Sequence, residues 1–153
     1  MIIAAFNTGG LTDPCIHAPR IKRLQRPVSR CEACRVETVA SKEKNQPAPP
    51  HVIFDDLVSP NRQPSRPWLH LLDDEVAPTV LESARPTRVV WSSLWTKRPD
   101  AQVVFDLSGG RSGTDLRWTL LTDQPAPDDR QLRHLCQRIG TLINANLRYT
   151  YGQ

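Results

Sequence analysis

No apolar run in this sequence approaches the roughly 18 residues of a membrane span, which excludes a transmembrane helix. Residues 1–6 are apolar, but the stretch is short and has no basic flank, so it does not read as a signal peptide. A cytoplasmic location is expected. Cysteine is scarce: Cys15, Cys31, Cys34 and Cys136 are all there is. Without a leader they do not read as a secreted disulfide framework. The glycine-rich stretch GGRSG at 109–113 lacks the Lys-Ser/Thr of a phosphate loop, and it lies between two strand patterns rather than before a helix. It reads as a hairpin turn. His51, His70 and His134 have no Ser or Cys partner evident in sequence for a catalytic triad. The acidic pairs at 55–56, 73–75 and 128–129 sit at helix or loop edges, where solvation and the helix dipole explain them.

The net charge of +4 is unevenly placed. Residues 1–50 hold eight Lys/Arg against four Asp/Glu, and the rest of the chain is balanced. Within the first part, residues 20–30 carry five basic side chains and no acid. No aromatic is interleaved for base stacking, so the run is electrostatic only and argues against nucleic acid as the partner. Residues 1–34 show no periodicity and are punctuated by Gly and Pro. They are expected to be a disordered arm or an upstream extension of the gene model, with the domain proper spanning 35–153. Cys15, His17, Cys31 and Cys34 are candidate zinc ligands. One Cys-x-x-Cys makes a knuckle, but Cys-x-His is a poor second half of a tetrahedral site, so neither metal nor cofactor is expected.

What the chain does have is one long amphipathic stretch at its C-terminal end. Over residues 127–151 the apolar side chains Leu132, Leu135, Cys136, Ile139, Leu142, Ile143 and Leu147 recur at steps of three and four. That spacing predicts a single helix with one apolar stripe. Pro127 suits the first helical position, acidic residues follow it, and Gly152 is a stop signal. Gly140 and Asn146 break the stripe. Gly in mid-helix costs roughly 1 kcal/mol against Ala, and a buried unpaired amide roughly 1–3 kcal/mol. Room and one polar handle are what a helix facing a cavity needs.

Upstream, residues 35–41 read as a strand, 42–50 as a charged connection, and the segment from the Pro49–Pro50 pair to 58 as a short helix. Residues 61–75 are irregular. From 76 the period changes to two. Residues 76–84, 88–95, 101–108 and 115–122 read as strands whose short connections favour an antiparallel meander. Val103, Phe105 and Leu107 can face Leu116, Trp118 and Leu120 on one side, and Val89, Trp91, Ser93 and Trp95 on the other. A 25-residue helix is about 37 Å long and an eight-residue strand about 26 Å, so the helix must cross the sheet and overhang it. The expected fold is α+β: a curved antiparallel sheet of about five strands gripping a long C-terminal helix.

This order resembles the SRPBCC superfamily, also called START-like or helix-grip proteins. Locally, APPHVIFDDLVSP (48–60) and VVFDLSGGRSGTDLRWTL (103–120) are similar to segments of the branch related to heat-shock-protein ATPase activators and polyketide cyclase-like proteins. The full fold has six or seven strands and usually two short helices after the first. The expected five strands and single helix imply a shallower cavity, or one open near 61–75. The resemblance implies an apolar pocket between sheet and helix. The expected function is binding of a small apolar molecule, of lipid, polyketide or aromatic class. The residues expected to line the site are Trp91, Trp95, Phe105, Trp118, Leu135, Ile139, Gly140, Ile143 and Asn146. Two alternatives stand beside it. One is a protein-interaction module of chaperone-cofactor type, using the outer sheet face or the 61–75 loop. The other is a cyclase-like enzyme, for which Glu82, Asp106 and His70 are the nearby acid–base candidates. The resemblance carries over no catalytic residue, since the superfamily shares a pocket rather than a constant chemistry.

Overall fold

The computed structural model describes residues 36–123 and 125–152. The segment expected to be an N-terminal arm, its basic run and the four candidate zinc ligands lie outside them. In chain order the elements are β1 (Glu37–Gln46), α1 (Pro50–Val58), β2 (Val80–Ala84), β3 (Arg88–Trp91), β4 (Gln102–Gly110), β5 (Gly113–Thr122) and α2 (Asp129–Thr141), the last continued by a π-helical segment, Leu142–Leu147. The strands form one antiparallel sheet in the order β1-β5-β4-β3-β2. α1 and the C-terminal helix bury their apolar sides in a single core with the inner sheet face.

The register follows the apolar alternation. Phe105 lies opposite Trp118, Leu107 opposite Leu116, and Val103 opposite Leu120. On the other flank Val89 meets Phe105 and Trp91 meets Val103. All of these side chains are buried. A one-residue slip would turn the set to solvent, at roughly 1.5–3 kcal/mol per large side chain, so the pairing is firmly specified. The outer face carries charge instead: Arg88 pairs with Asp106 at 3.3 Å and Arg117 with Glu43 at 2.6 Å.

The β4–β5 connection is tighter than its glycines suggest. Gly110 already pairs with Gly113. Gly113 has φ +130°, and a Cβ there would lie 2.0 Å from the Gln46 carbonyl oxygen. No side chain fits a backbone that close. Gly113 thus lets β5 approach the end of β1.

Four expectations need correction. β1 does not stop at 41; it runs to Gln46, paired with β5 down to Gln46–Thr114. Its second half is polar because β1 is a sheet edge, so alternation there carries no apolar signal. The strand expected over 88–95 ends at Trp91, because the Ser93 hydroxyl takes over the local bonding. It accepts from the Trp95 N–H at 3.0 Å and donates to the Arg98 carbonyl at 2.6 Å. Ser93 and Trp95 therefore leave the ladder. Residues 76–79 are likewise not strand, although the Val76 N–H reaches the Leu94 carbonyl, and regular pairing begins at Val80. Pro127 is not the first helical residue: Asp128 is the cap, its side chain accepting from the Gln131 N–H at 2.7 Å.

The C-terminal helix also departs from uniform α geometry. Over Leu142–Leu147 the bonds run i→i+5. Residues five apart then share a face, and Leu142, Ile143 and Leu147 are all buried. Gln46 supports the wider turn, its amide Nε2 donating to the Ile143 carbonyl at 3.2 Å. Arg148 in turn donates to the Asn45 carbonyl at 2.8 Å. On the opposite flank Arg138 binds the Glu75 carboxylate at 2.6 and 2.8 Å and the His70 carbonyl, tying the irregular 61–75 segment to the helix.

Candidate functional site

An aromatic run crosses the inner face. Trp68 stacks on Trp91 with centroids 6.0 Å apart, and Trp91 meets Phe105 edge-on at 4.7 Å. Phe105 is in turn the cross-strand partner of Trp118. The Trp91 indole N–H donates to the Leu57 carbonyl at 2.9 Å. The indole N–H groups of Trp68, Trp95 and Trp118 are buried without a partner among the described residues. An unsatisfied buried donor costs roughly 1–3 kcal/mol, so each marks a place where an acceptor would be welcome.

One groove is lined in part by Trp118. It runs between β1, β5 and the C-terminal helix and is lined by Ala40, Ser41, Lys42, Trp118, Cys136, Gln137, Gly140, Thr141, Asn144 and Ala145. Its volume is about 620 Å³, within the roughly 300–1,000 Å³ of small-molecule sites. Gly140 makes room in it: a Cβ there would meet nothing nearer than the Asn144 amide nitrogen at 4.0 Å. Asn144 is steadied by Gln46, whose Nε2 reaches its Oδ1 at 3.5 Å. Burial raises the Cys136 thiol pKa, and the charge of Lys42 opposes that rise. Cys136 is therefore a neutral wall of the groove at pH 7.

Two further recesses lie around the helix end. One, of about 420 Å³, is flanked by Asp56, Arg62, Trp68 and Tyr151. Its polar groups largely satisfy one another: Asp56 accepts from Arg62 and from the Tyr151 hydroxyl, each at 2.6 Å. Burial and then Asp56 push the Tyr151 phenol pKa up. The other, of about 830 Å³, is lined by Arg66, His70, Asn146 and Tyr149 among others. It is a ledge more than a pocket, since Tyr149 is 79% exposed.

The nine residues expected at the site are thus divided. Trp118 and Gly140 come together across the groove. Asn146 lines the ledge on another side of the helix, with His70. Trp91, Trp95, Phe105, Leu135, Ile139 and Ile143 are buried in the core and line none of these three recesses. Lys42, Asn144 and Ala145 were missed. Lys42 fell in a stretch read as a connection, and its inward orientation follows only from its register opposite Trp118. Glu82 and Asp106, the carboxylates weighed for catalysis, are in register with Val90 and with Arg88 and Arg117, away from the face that carries Trp118. Among the described residues no cluster of three His, Cys, Asp or Glu could hold a metal, and no helix is long and apolar enough to cross a membrane.

An open antiparallel sheet with a long C-terminal helix packed on its inner face is a helix-grip arrangement. Solved structures share it. CalU16 from Micromonospora echinospora superposes with a TM-score of 0.57 at 19% identity, over 78% of this chain and 81% of that one. The Aha1 dimer from Colwellia psychrerythraea gives 0.53 at 12% identity, over 71% and 91%. At these identities the likeness is one of fold. No family model matches the sequence, and no curated protein does.

Proposed function

We propose that the domain binds a small, largely apolar molecule in the groove between β1, β5 and the C-terminal helix. The observation that carries this reading is the open space at Gly140 in a groove that Trp118 also lines. Apolar burial supplies the driving force, and the Asn144 amide orients the bound molecule. The helix-grip fold supports the reading, since it sets this helix against this sheet face. The groove is preferred over the other two recesses because, of the three, it is the one lined by both Trp118 and Gly140. Among the described residues no carboxylate or histidine lines it, so the reading is binding rather than turnover. The test is calorimetric titration with fatty, aromatic and polyketide-like compounds. Binding by the native protein that Gly140→Leu removes supports the groove. Binding indifferent to Gly140→Leu, or no binding at all, overturns it.

A second reading rests on exposed apolar side chains. Leu71, Leu72, Val76 and Leu81 are all more than a third exposed, in and before the edge strand β2. They suit a protein partner docking at that edge. Leu81→Lys would weaken such an association and leave small-molecule binding intact.

A further inference from the structure

The groove is not uniformly apolar, and its one charge is unopposed. Lys42 lies on the edge strand directly across from Trp118, so its side chain leaves the sheet on the inner side. It lines the groove, and its charge is felt at Cys136 on the facing helix. The adjacent carboxylate, Glu43, points to the other side and is bound by Arg117 at 2.6 Å. Among the described residues no carboxylate pairs with Lys42, and none of the ten groove-lining residues is acidic. The polar groups nearest the open floor also donate. The Asn144 oxygen faces Gln46, which leaves its amide N–H groups on the side of Gly140.

We propose that the groove selects amphipathic acids: molecules with an apolar body that lies between Trp118 and Gly140, and one carboxylate held by the Lys42 ammonium. This rests on the binding reading above and specifies its ligand class. A neutral molecule of the same shape would bury the same apolar surface and leave the ammonium without a counter-charge. A cationic one would meet like charge. Lys42 is exposed, so its contribution is that of a screened surface pair, a factor of about two to five in affinity.

The probes are decanoate and its neutral counterpart decanamide, titrated calorimetrically into the full chain in 50 mM and 500 mM NaCl. The expected result is a two- to fivefold preference for decanoate at low salt. Screening shortens the reach of the charge at high salt, so the preference shrinks there. Lys42→Met abolishes the preference, and Lys42→Glu reverses it. Equal affinities for the two probes in the native protein overturn the acid selectivity while leaving the groove as a binding site. Failure of both probes to bind overturns the groove reading and this inference together. A preference that survives Lys42→Met places the counter-charge elsewhere and also overturns the inference.

Discussion

Replacing Gly140 separates what the C-terminal helix needs for stability from what the groove needs for room. Gly140 lies inside α2, and its φ is not in the left-handed region. Nothing about its backbone requires glycine. Alanine in a helix interior is favoured over glycine by about 0.8–1.0 kcal/mol. The added methyl would be 4.0 Å from the Asn144 nitrogen, an ordinary contact, so no clash subtracts from this. Gly140→Ala should therefore stabilise the domain by about 1 kcal/mol. In urea that moves the unfolding midpoint up by roughly 0.5 M, for a slope near 2 kcal/mol/M. Gly140→Leu should also fold, since its side chain extends into open groove, but it occupies the volume assigned to the ligand. The two variants together make the decisive comparison: stability held or raised in both, ligand affinity lost in the leucine variant. A destabilised Gly140→Ala would refute the reasoning, because it would mean the position is crowded and the groove beside it is not open.

Three further outcomes follow from the packing. Arg138→Met leaves Glu75 buried without its cation and should cost about 3–5 kcal/mol, most of it recovered in the Arg138→Met/Glu75→Gln double variant; full additivity in a denaturation cycle would show that the pair is not coupled. Gly113→Ala should destabilise by at least about 2 kcal/mol through its positive φ and the collision with Gln46, and a neutral effect on the urea midpoint would contradict the close β1–β5 approach. The Tyr151 phenol has its pKa raised above the ordinary 10.0 by burial and then by Asp56. The folded state therefore resists ionisation, the hydroxyl's contribution is complete below pH 10, and it is lost progressively as pH rises beyond that. Native protein should lose stability above pH 10 more steeply than Tyr151→Phe; parallel pH profiles would sink the assignment.

The sheet and the helix were legible because both are written in periodic burial. Phe105, Trp118 and their neighbours alternate, the stripe from Leu135 to Leu147 recurs at helical spacing, and the register follows from matching the two. The groove was only half legible. Gly140 and Trp118 stood out as a gap in a stripe and as a large aromatic. Lys42 did not, because a charged residue on an edge strand looks the same in sequence whether it faces water or a groove. Asn146 misled for a related reason. Equal steps of 100° along the helix place it near the apolar arc, but the π-helical turns from Leu142 change the step and direct it to the ledge beside His70. Those turns accept a hydrogen bond from the amide of Gln46, 97 residues away in sequence from Ile143, and no local pattern reports it.

The groove joins the first strand of the domain to its last helix. Among the described residues β1 has β5 as its only neighbour in the sheet, and that partner begins 67 residues after Gln46. During synthesis β1 must therefore wait, unpaired, while the chain between them is made. At the usual rate of about 5–20 residues per second the delay is several seconds, and the wall supplied by α2 arrives later still. No shorter nascent fragment has the complete groove. A molecule bound there would act on the finished domain alone, as a latch on a completed fold rather than a template for its folding.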